Sequence, residues 1–253
     1  MVTILYADVS GCDESALIEL YIGSADAYHR GRISAYKPAR SKALSLAAAA
    51  LMQVGVRAMT ETGGLDTDLF STGNDGIAYL SYDDFLVLYE PLKLTYGKGE
   101  FGKPFLKEYS GLKFSISHSN GIAVVSLSTE ETGMDVQYHR PTNFMRIAER
   151  FFSSAEIAFL QSVRQRTDEK RCADIFHDLW AAKEAYVKYT GEGLFKPFDD
   201  FEAQLHYEGL PLTGVIEPDG ASLLYPIAIP DYSFCLCTLE PPDVRVLRVE
   251  LRA

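Results

Sequence analysis

Several things are scarce in this 253-residue chain, and each scarcity excludes something. Cysteine is rare: Cys12, Cys172, Cys235 and Cys237 show neither zinc-like spacing nor a disulfide framework. They read as small core or surface residues, and a reducing cytoplasm is the expected compartment. Positive charge is short, since 24 Lys and Arg against 35 Asp and Glu leave a net charge of −11. That balance argues against general nucleic-acid binding. Long apolar runs are missing too. The longest, Ala43 to Val56, contains Ser45 and Gln53 and falls short of the roughly 20 residues a membrane span needs. The apolar opening Met1–Val9 meets Asp8 too soon for a secretory leader and reads as a first strand. No internal repeat is evident. The remaining composition is that of an ordinary soluble protein, long enough for one large domain or two compact halves.

Local patterns give a coarse outline. A helix is expected over 13–30, acidic early and basic late as the helix dipole favours. A second, alanine-rich and free of breakers, runs from Ala39 to Val54. Gly63-Gly64 and Asn74-Asp75-Gly76 punctuate a loop over 60–80, and Leu86–Leu94 suits a strand or an irregular connection. Gly97 to Pro104 is a glycine-rich turn. Leu112–Ser117 and Ile122–Ser128 alternate on either side of Asn120-Gly121, as in a hairpin, and Gly133–Tyr138 adds a third strand. Ser153 and Glu156 form a capping box for a helix to about Arg164. The next helix covers about Cys172 to Thr190, stopped by Gly191. From Phe201 onward, alternation broken by Pro and Gly predicts several antiparallel strands. The fold class is therefore α+β, divided into an N-terminal half over 1–130 and a C-terminal half over 131–253.

Two stretches carry chemistry. In Trp180-Ala181-Ala182-Lys183-Glu184-Ala185-Tyr186-Val187-Lys188, helical spacing sets Trp180, Glu184 and Lys188 along one side. In Thr132-Gly133-Met134-Asp135-Val136-Gln137, strand alternation sets Asp135 and Gln137 on one face. A carboxylate from a strand and another from a helix suit a hard cation. Taken singly, Asp135 reads equally as a strand-end carboxylate in a turn. Glu184 reads equally as half of an i,i+4 pair with Lys188, worth only a few tenths of a kcal/mol.

In this order the two stretches resemble the signature motifs of the Sfp-type 4′-phosphopantetheinyl transferases, Gly-x-Asp-x-Glu and Trp-x-x-Lys-Glu-Ala-x-x-Lys. The second matches throughout; the first departs at Gln137, where glutamate is usual. Gly102-Lys103-Pro104, Ser115-Ile116-Ser117-His118-Ser119 and Arg150-Phe151-Phe152-Ser153 with Glu156 agree in order, so the resemblance covers about 100–200. It implies two similar α+β halves related by a pseudo-two-fold axis, with the active site between them, in a cytoplasmic monomer. The implied reaction moves the 4′-phosphopantetheine arm of coenzyme A onto a serine of an acyl carrier protein or peptidyl carrier domain and releases 3′,5′-ADP. Magnesium, with manganese as an alternative, would be held by Asp135, Glu184 and Gln137. Glu184 competes for the role of general base, and Lys188 would approach the pyrophosphate. Lys103, Pro104, Ser117 and His118 would bind coenzyme A, His118 at its 3′-phosphate.

Arg30 and Lys42 fall where the family carries basic residues for the 3′-phosphate and adenine end, Lys42 replacing the usual arginine. They belong to a basic cluster, His29-Arg30-Gly31-Arg32, Lys37, Arg40 and Lys42, that an acidic chain needs if it is to meet acidic carriers. Phe144, Met145 and Ile147 are candidates for carrier contact, with core an equal reading for Phe144 and Ile147. Neither a nucleic-acid nor a membrane partner is expected. Two other readings stay open on the residues: a catalytically impaired binder of coenzyme A or carrier protein, and a metal-dependent nucleotide phosphohydrolase.

Overall fold

The structure is a computed structural model that describes residues 1–23, 25–60, 71–72, 77–88, 92–208 and 211–252. Gly63-Gly64 and Asn74-Asp75-Gly76 lie outside these. The elements fall into two compact units, Met1–Lys98 with Pro104–Glu130 and Asp243–Ala253, and Gly99–Lys103 with Glu131–Pro242. These differ from an uninterrupted 1–130 and 131–253: the last residues join the first unit, and the tip at Gly99–Lys103 joins the second.

The first unit contains strands β1 (Val2–Asp8), β2 (Ser71–Thr72), β3 (Ala78–Leu80), β4 (Tyr96–Lys98), β5 (Pro104–Leu106), β6 (Lys113–Ser119) and β7 (Ile122–Ser128). Its helices are α1 (Glu14–Ile22), α2 (Ala27–Ala35), α3 (Ala39–Thr60) and α4 (Tyr82–Leu88). The expected single helix over 13–30 is two helices, because Asp26 takes an extended conformation and accepts from His29 N, capping α2. Leu86–Leu94 begins inside α4 rather than in a strand. The β6–β7 hairpin turns at Asn120, whose φ of 52° suits asparagine.

Helix α3 packs on β1, β6 and β7 and buries Leu44, Leu46, Leu51, Met52 and Val54. It is long and apolar enough to cross a membrane by length and composition, yet 83% of its most apolar window is buried inside the protein, as in a core helix.

The second unit holds β8 (Gly133–Tyr138), α5 (Phe144–Phe151), α6 (Ser154–Arg164), α7 (Glu169–Thr190), β9 (Glu202–His206), β10 (Thr213–Glu217), β11 (Ala221–Leu224) and β12 (Tyr232–Thr238). Its sheet is antiparallel, in the order β8-β12-β11-β10-β9. The third strand after the hairpin therefore pairs with β12, 90-odd residues later in the chain, rather than with its sequence neighbour. The tail's last strand, β13 (Val244–Val249), lies in the first unit's sheet, parallel to β1.

Helix α7 lies on β8 and β12. Gly191 ends it in the left-handed region, at φ 80°, where a side chain would be strained. Ser153 and Glu156 make the full capping box at the start of α6.

Candidate functional site

The site grows out of one close approach. A Cβ on Gly133 would lie 2.0 Å from the Ala185 carbonyl oxygen and 2.4 Å from the Tyr189 nitrogen. Only glycine lets β8 press this tightly against the backbone of α7. Two residues along, Asp135 points to the same side, opposite Cys235, and Gln137 stands opposite Ser233.

Across from them, α7 contributes Glu184 and Lys188. The Lys188 ammonium lies 2.6 Å from Asp135 Oδ1 and donates to the Met134 carbonyl at 3.2 Å. Burial pushes the Glu184 carboxyl above its ordinary range; Lys188 pulls it down and the Asp135 charge pushes it up. Because the folded state binds that proton more tightly, ionising Glu184 costs stability as pH rises above the usual carboxylate range. A cation would remove that cost.

Asp135 and Lys188 are thus in contact, and the charges of both act on Glu184. Gln137 shares the face, with its Nε2 donating to the Tyr138 carbonyl at 3.2 Å. Among the described residues no three His, Cys, Asp or Glu side chains gather around one point. The side chains nearest to offering a hard cation oxygen donors are the Asp135 and Glu184 carboxylates, whose charges act on one another. Magnesium, which keeps several waters, tolerates such a sparse set.

Trp180 does not share this ground. It packs among Phe151, Phe152, Phe176 and Phe198. Lys183 lies in the same aromatic surroundings with no exposed surface. Its ammonium pairs with Glu156 Oε2 at 2.9 Å and donates to the Phe198 and Phe201 carbonyls at 2.7 and 2.8 Å. It lies over the Phe201 ring, 4.4 Å from the centroid. Glu156 also accepts from Ser153 N and Ala203 N, so the capping carboxylate doubles as counter-ion. Burial lowers the Lys183 pKa, and Glu156 opposes that.

Lys103 is engaged as well, with Glu131 at 2.8 Å and the carbonyls of Thr132 and Tyr189 at 3.3 and 3.0 Å. In the first unit, Ser117 is buried and His118 half-buried on β6, with Tyr36 edge-on to His118. Pro104 is half-buried at the start of β5.

The basic cluster is less available than its composition suggests. His29 is buried against Asp26. Arg32 donates to the hydroxyls of Tyr28 and Tyr36. Arg40 holds the Asn120 carbonyl and Glu14. Arg30 and Lys37 are exposed and Lys42 half-exposed. Of the carrier-contact candidates, Phe144 and Met145 are core residues, because α5 is an amphipathic helix turned inward. Ile147 lines a surface cavity of about 470 Å³ with Arg146, Arg150 and Phe151.

Sequence reasoning missed a half-buried polar chain just past β8. His139 meets Asp174 through Nδ1 at 2.9 Å and Ser233 through Nε2 at 2.8 Å. Ser233 donates to Asp178 Oδ1 at 2.6 Å, and the Tyr225 hydroxyl donates to the Asp178 carbonyl at 2.5 Å. Burial raises the Asp178 carboxyl. His177 stacks on His139 with centroids 4.8 Å apart. These bonds tie the first half of α7 to β8 and β12. Only the i,i+4 spacing of Asp174 and Asp178 hinted at them.

Comparison with known sequences bears on this arrangement. Residues 131–236 match the 4′-phosphopantetheinyl transferase superfamily, and that stretch holds Asp135, Glu184 and Lys188. The chain belongs to the 4′-phosphopantetheinyl transferase superfamily. It is 30% identical over 151 residues to the 4′-phosphopantetheinyl transferase Sfp of Bacillus subtilis, 58% of this chain and 64% of that one. With HetI of Nostoc it shares 37% over 112 residues, 42% and 46% of the two chains. With AcpT of Salmonella typhimurium it shares 36% over 95 residues, 37% and 47%. The match to this superfamily therefore spans just under two thirds of Sfp and about half of the other two relatives.

Proposed function

We propose that this protein transfers the 4′-phosphopantetheine group of coenzyme A to a serine of an acyl or peptidyl carrier protein, with release of 3′,5′-ADP. The observation that carries the reading is the meeting of Asp135, Glu184 and Lys188 inside the segment that matches the superfamily. The curated relatives are transferases, which favours this reading over a phosphohydrolase or a binding protein without turnover.

In the reaction, the serine oxygen forms a bond to the β-phosphorus of coenzyme A as the bond to the bridging oxygen breaks. The serine proton must leave, and Glu184, whose carboxyl burial makes more basic, is the candidate base where it is not taken up as a metal ligand. The Lys188 ammonium faces the charge that develops on the departing phosphate. Asp135, Glu184 and the Gln137 amide would hold magnesium, or manganese, and the ion when bound supplies charge neutralisation on the pyrophosphate. His118, Ser117, Pro104, Lys103, Arg30 and Lys42 are proposed coenzyme A contacts on the strength of the resemblance. Lys103 in this role would have to leave Glu131.

One shared trait speaks for the reading of two similar halves. Each unit covers one sheet with a 22-residue helix, α3 or α7. A cytoplasmic, monomeric enzyme remains part of the proposal. The carrier would meet the cavity beside α5, where Arg146 and Arg150 offer positive charge to an acidic partner.

The test is the intact mass of an apo carrier protein after incubation with the protein, coenzyme A and magnesium. A gain of about 340 Da, one phosphopantetheine, that disappears in Asp135→Ala and Glu184→Ala is expected. Coenzyme A binding with no gain on several carriers would move the assignment to a binding protein.

A further inference from the structure

Lys188 and Asp135 form a pair in which the carboxylate side chain is 7% exposed and the lysine 27%. The ammonium contacts the carboxylate that would have to serve a divalent ion, and it also holds the adjacent Met134 carbonyl. Its charge acts on Glu184 as well. One tethered cation thus serves both carboxylates.

We propose that Lys188 is a built-in placeholder for the divalent cation: it neutralises Asp135 while no substrate is present and opposes a metal ion that arrives alone. It then gives up Asp135 when a pyrophosphate offers its ammonium another anion. The proposal rests on the transferase reading of this site. Two cations on one carboxylate oxygen repel strongly at short range, more so where water is partly excluded. The lysine stem has four rotatable carbons, so Nζ can change partners while the α7 backbone stays fixed. With pyrophosphate present, two anionic groups and two cations rearrange from one pairing to another without leaving a charge alone. The consequence is ordered, cooperative binding. The divalent ion enters with or after the phosphate-bearing substrate, and each tightens the other by the same factor.

The experiment is manganese binding to the full chain, followed by electron paramagnetic resonance and by calorimetry, with and without inorganic pyrophosphate. Manganese alone should bind Lys188→Met and Lys188→Gln at least about tenfold more tightly than wild type, the effect of removing a competing charge at contact distance. Lys188→Arg, which keeps the charge, should stay near wild type. Pyrophosphate should tighten manganese on wild type far more than on Lys188→Met. Manganese should also raise the melting temperature of Lys188→Met more than that of wild type. Equal or weaker manganese binding by both neutral variants would overturn the proposal. Should wild type load a carrier while the neutral variants show no gain, the placeholder fails and the transferase reading stands. A gain with no carrier loaded by wild type supports the placeholder and sinks the transferase reading.

Discussion

Lys183 and Lys188 share one helix and each faces a carboxylate, yet their surroundings differ completely. Lys183 is sealed, its ammonium hydrogen-bonded to Glu156 and two backbone carbonyls under aromatic rings. Lys188 is partly open and faces a carboxylate that has other uses. A buried ion whose hydrogen-bonding demands are filled by fixed partners serves architecture. An ion whose partner can be exchanged serves chemistry. Charge type and helix position do not separate the two; the number of alternative partners does.

That contrast can be broken from either side. The largest effect is expected from Lys183→Met, which strands Glu156 and should cost about 3–5 kcal/mol of stability, read by urea denaturation. Any transferase loss in that variant should follow the folded fraction. Lys188→Met should weigh the other way, lowering kcat by about 10²–10³ while costing less stability than Lys183→Met, since Lys188 is itself partly exposed. A Lys183→Met protein that folds normally but cannot turn over would reverse the assignment.

A pH scan separates the two faces of α7 further. Burial, helped by the His139 charge, lowers the His177 pKa from 6.5 to about 4. The unfolded chain thus takes up that proton first, so stability is full above pH 6.5 and falls as pH drops toward 4. The loss is at most roughly 3 kcal/mol, and His177→Phe should flatten it. Next comes Gly133→Ala, whose added methyl collides with α7 and should cost about 1–3 kcal/mol. Unlike Lys183→Met, it should also reduce turnover per folded molecule, since it moves β8 away from Glu184. The smallest difference is expected between Lys183→Met and the double change Lys183→Met with Glu156→Met. Removing the second ion relieves the stranded carboxylate, but recovery should be only partial, because the Ser153 and Ala203 N–H groups and the Phe198 and Phe201 carbonyls lose their partners.

Much of this was readable in the sequence because it is local. The Ser153–Glu156 box, the Asn120 turn, the Gly191 stop and the start of α3 depend on neighbours a few residues away, whereas α3 runs on past the expected end at Val54 to Thr60. Asp135, Glu184 and Lys188 stood out as candidates because spacing on one strand and one helix constrains which face each takes, and Asp135 does meet Lys188. The pairing of β8 with β12 was not, since alternation tells which face a strand buries but not its partner. The His139 chain was hidden for the same reason, its partners lying 35 and 94 residues away. Asp26 carried a helix-start signal, overridden in the reading by the charge gradient across 13–30. Phe144 and Met145 show the converse: apolar residues after a site-bearing strand invite a docking role, and only packing shows that they are core.

The placement of β13 has a consequence for synthesis. In the first sheet it sits between β3 and β1, so that sheet lacks an interior strand until residues 244–249 have been made. The second sheet is in the same position, for β12 sits between β8 and β11 and spans Tyr232–Thr238, just before β13. On the ribosome both sheets therefore keep open edges until the same short stretch, 232–249, has been made.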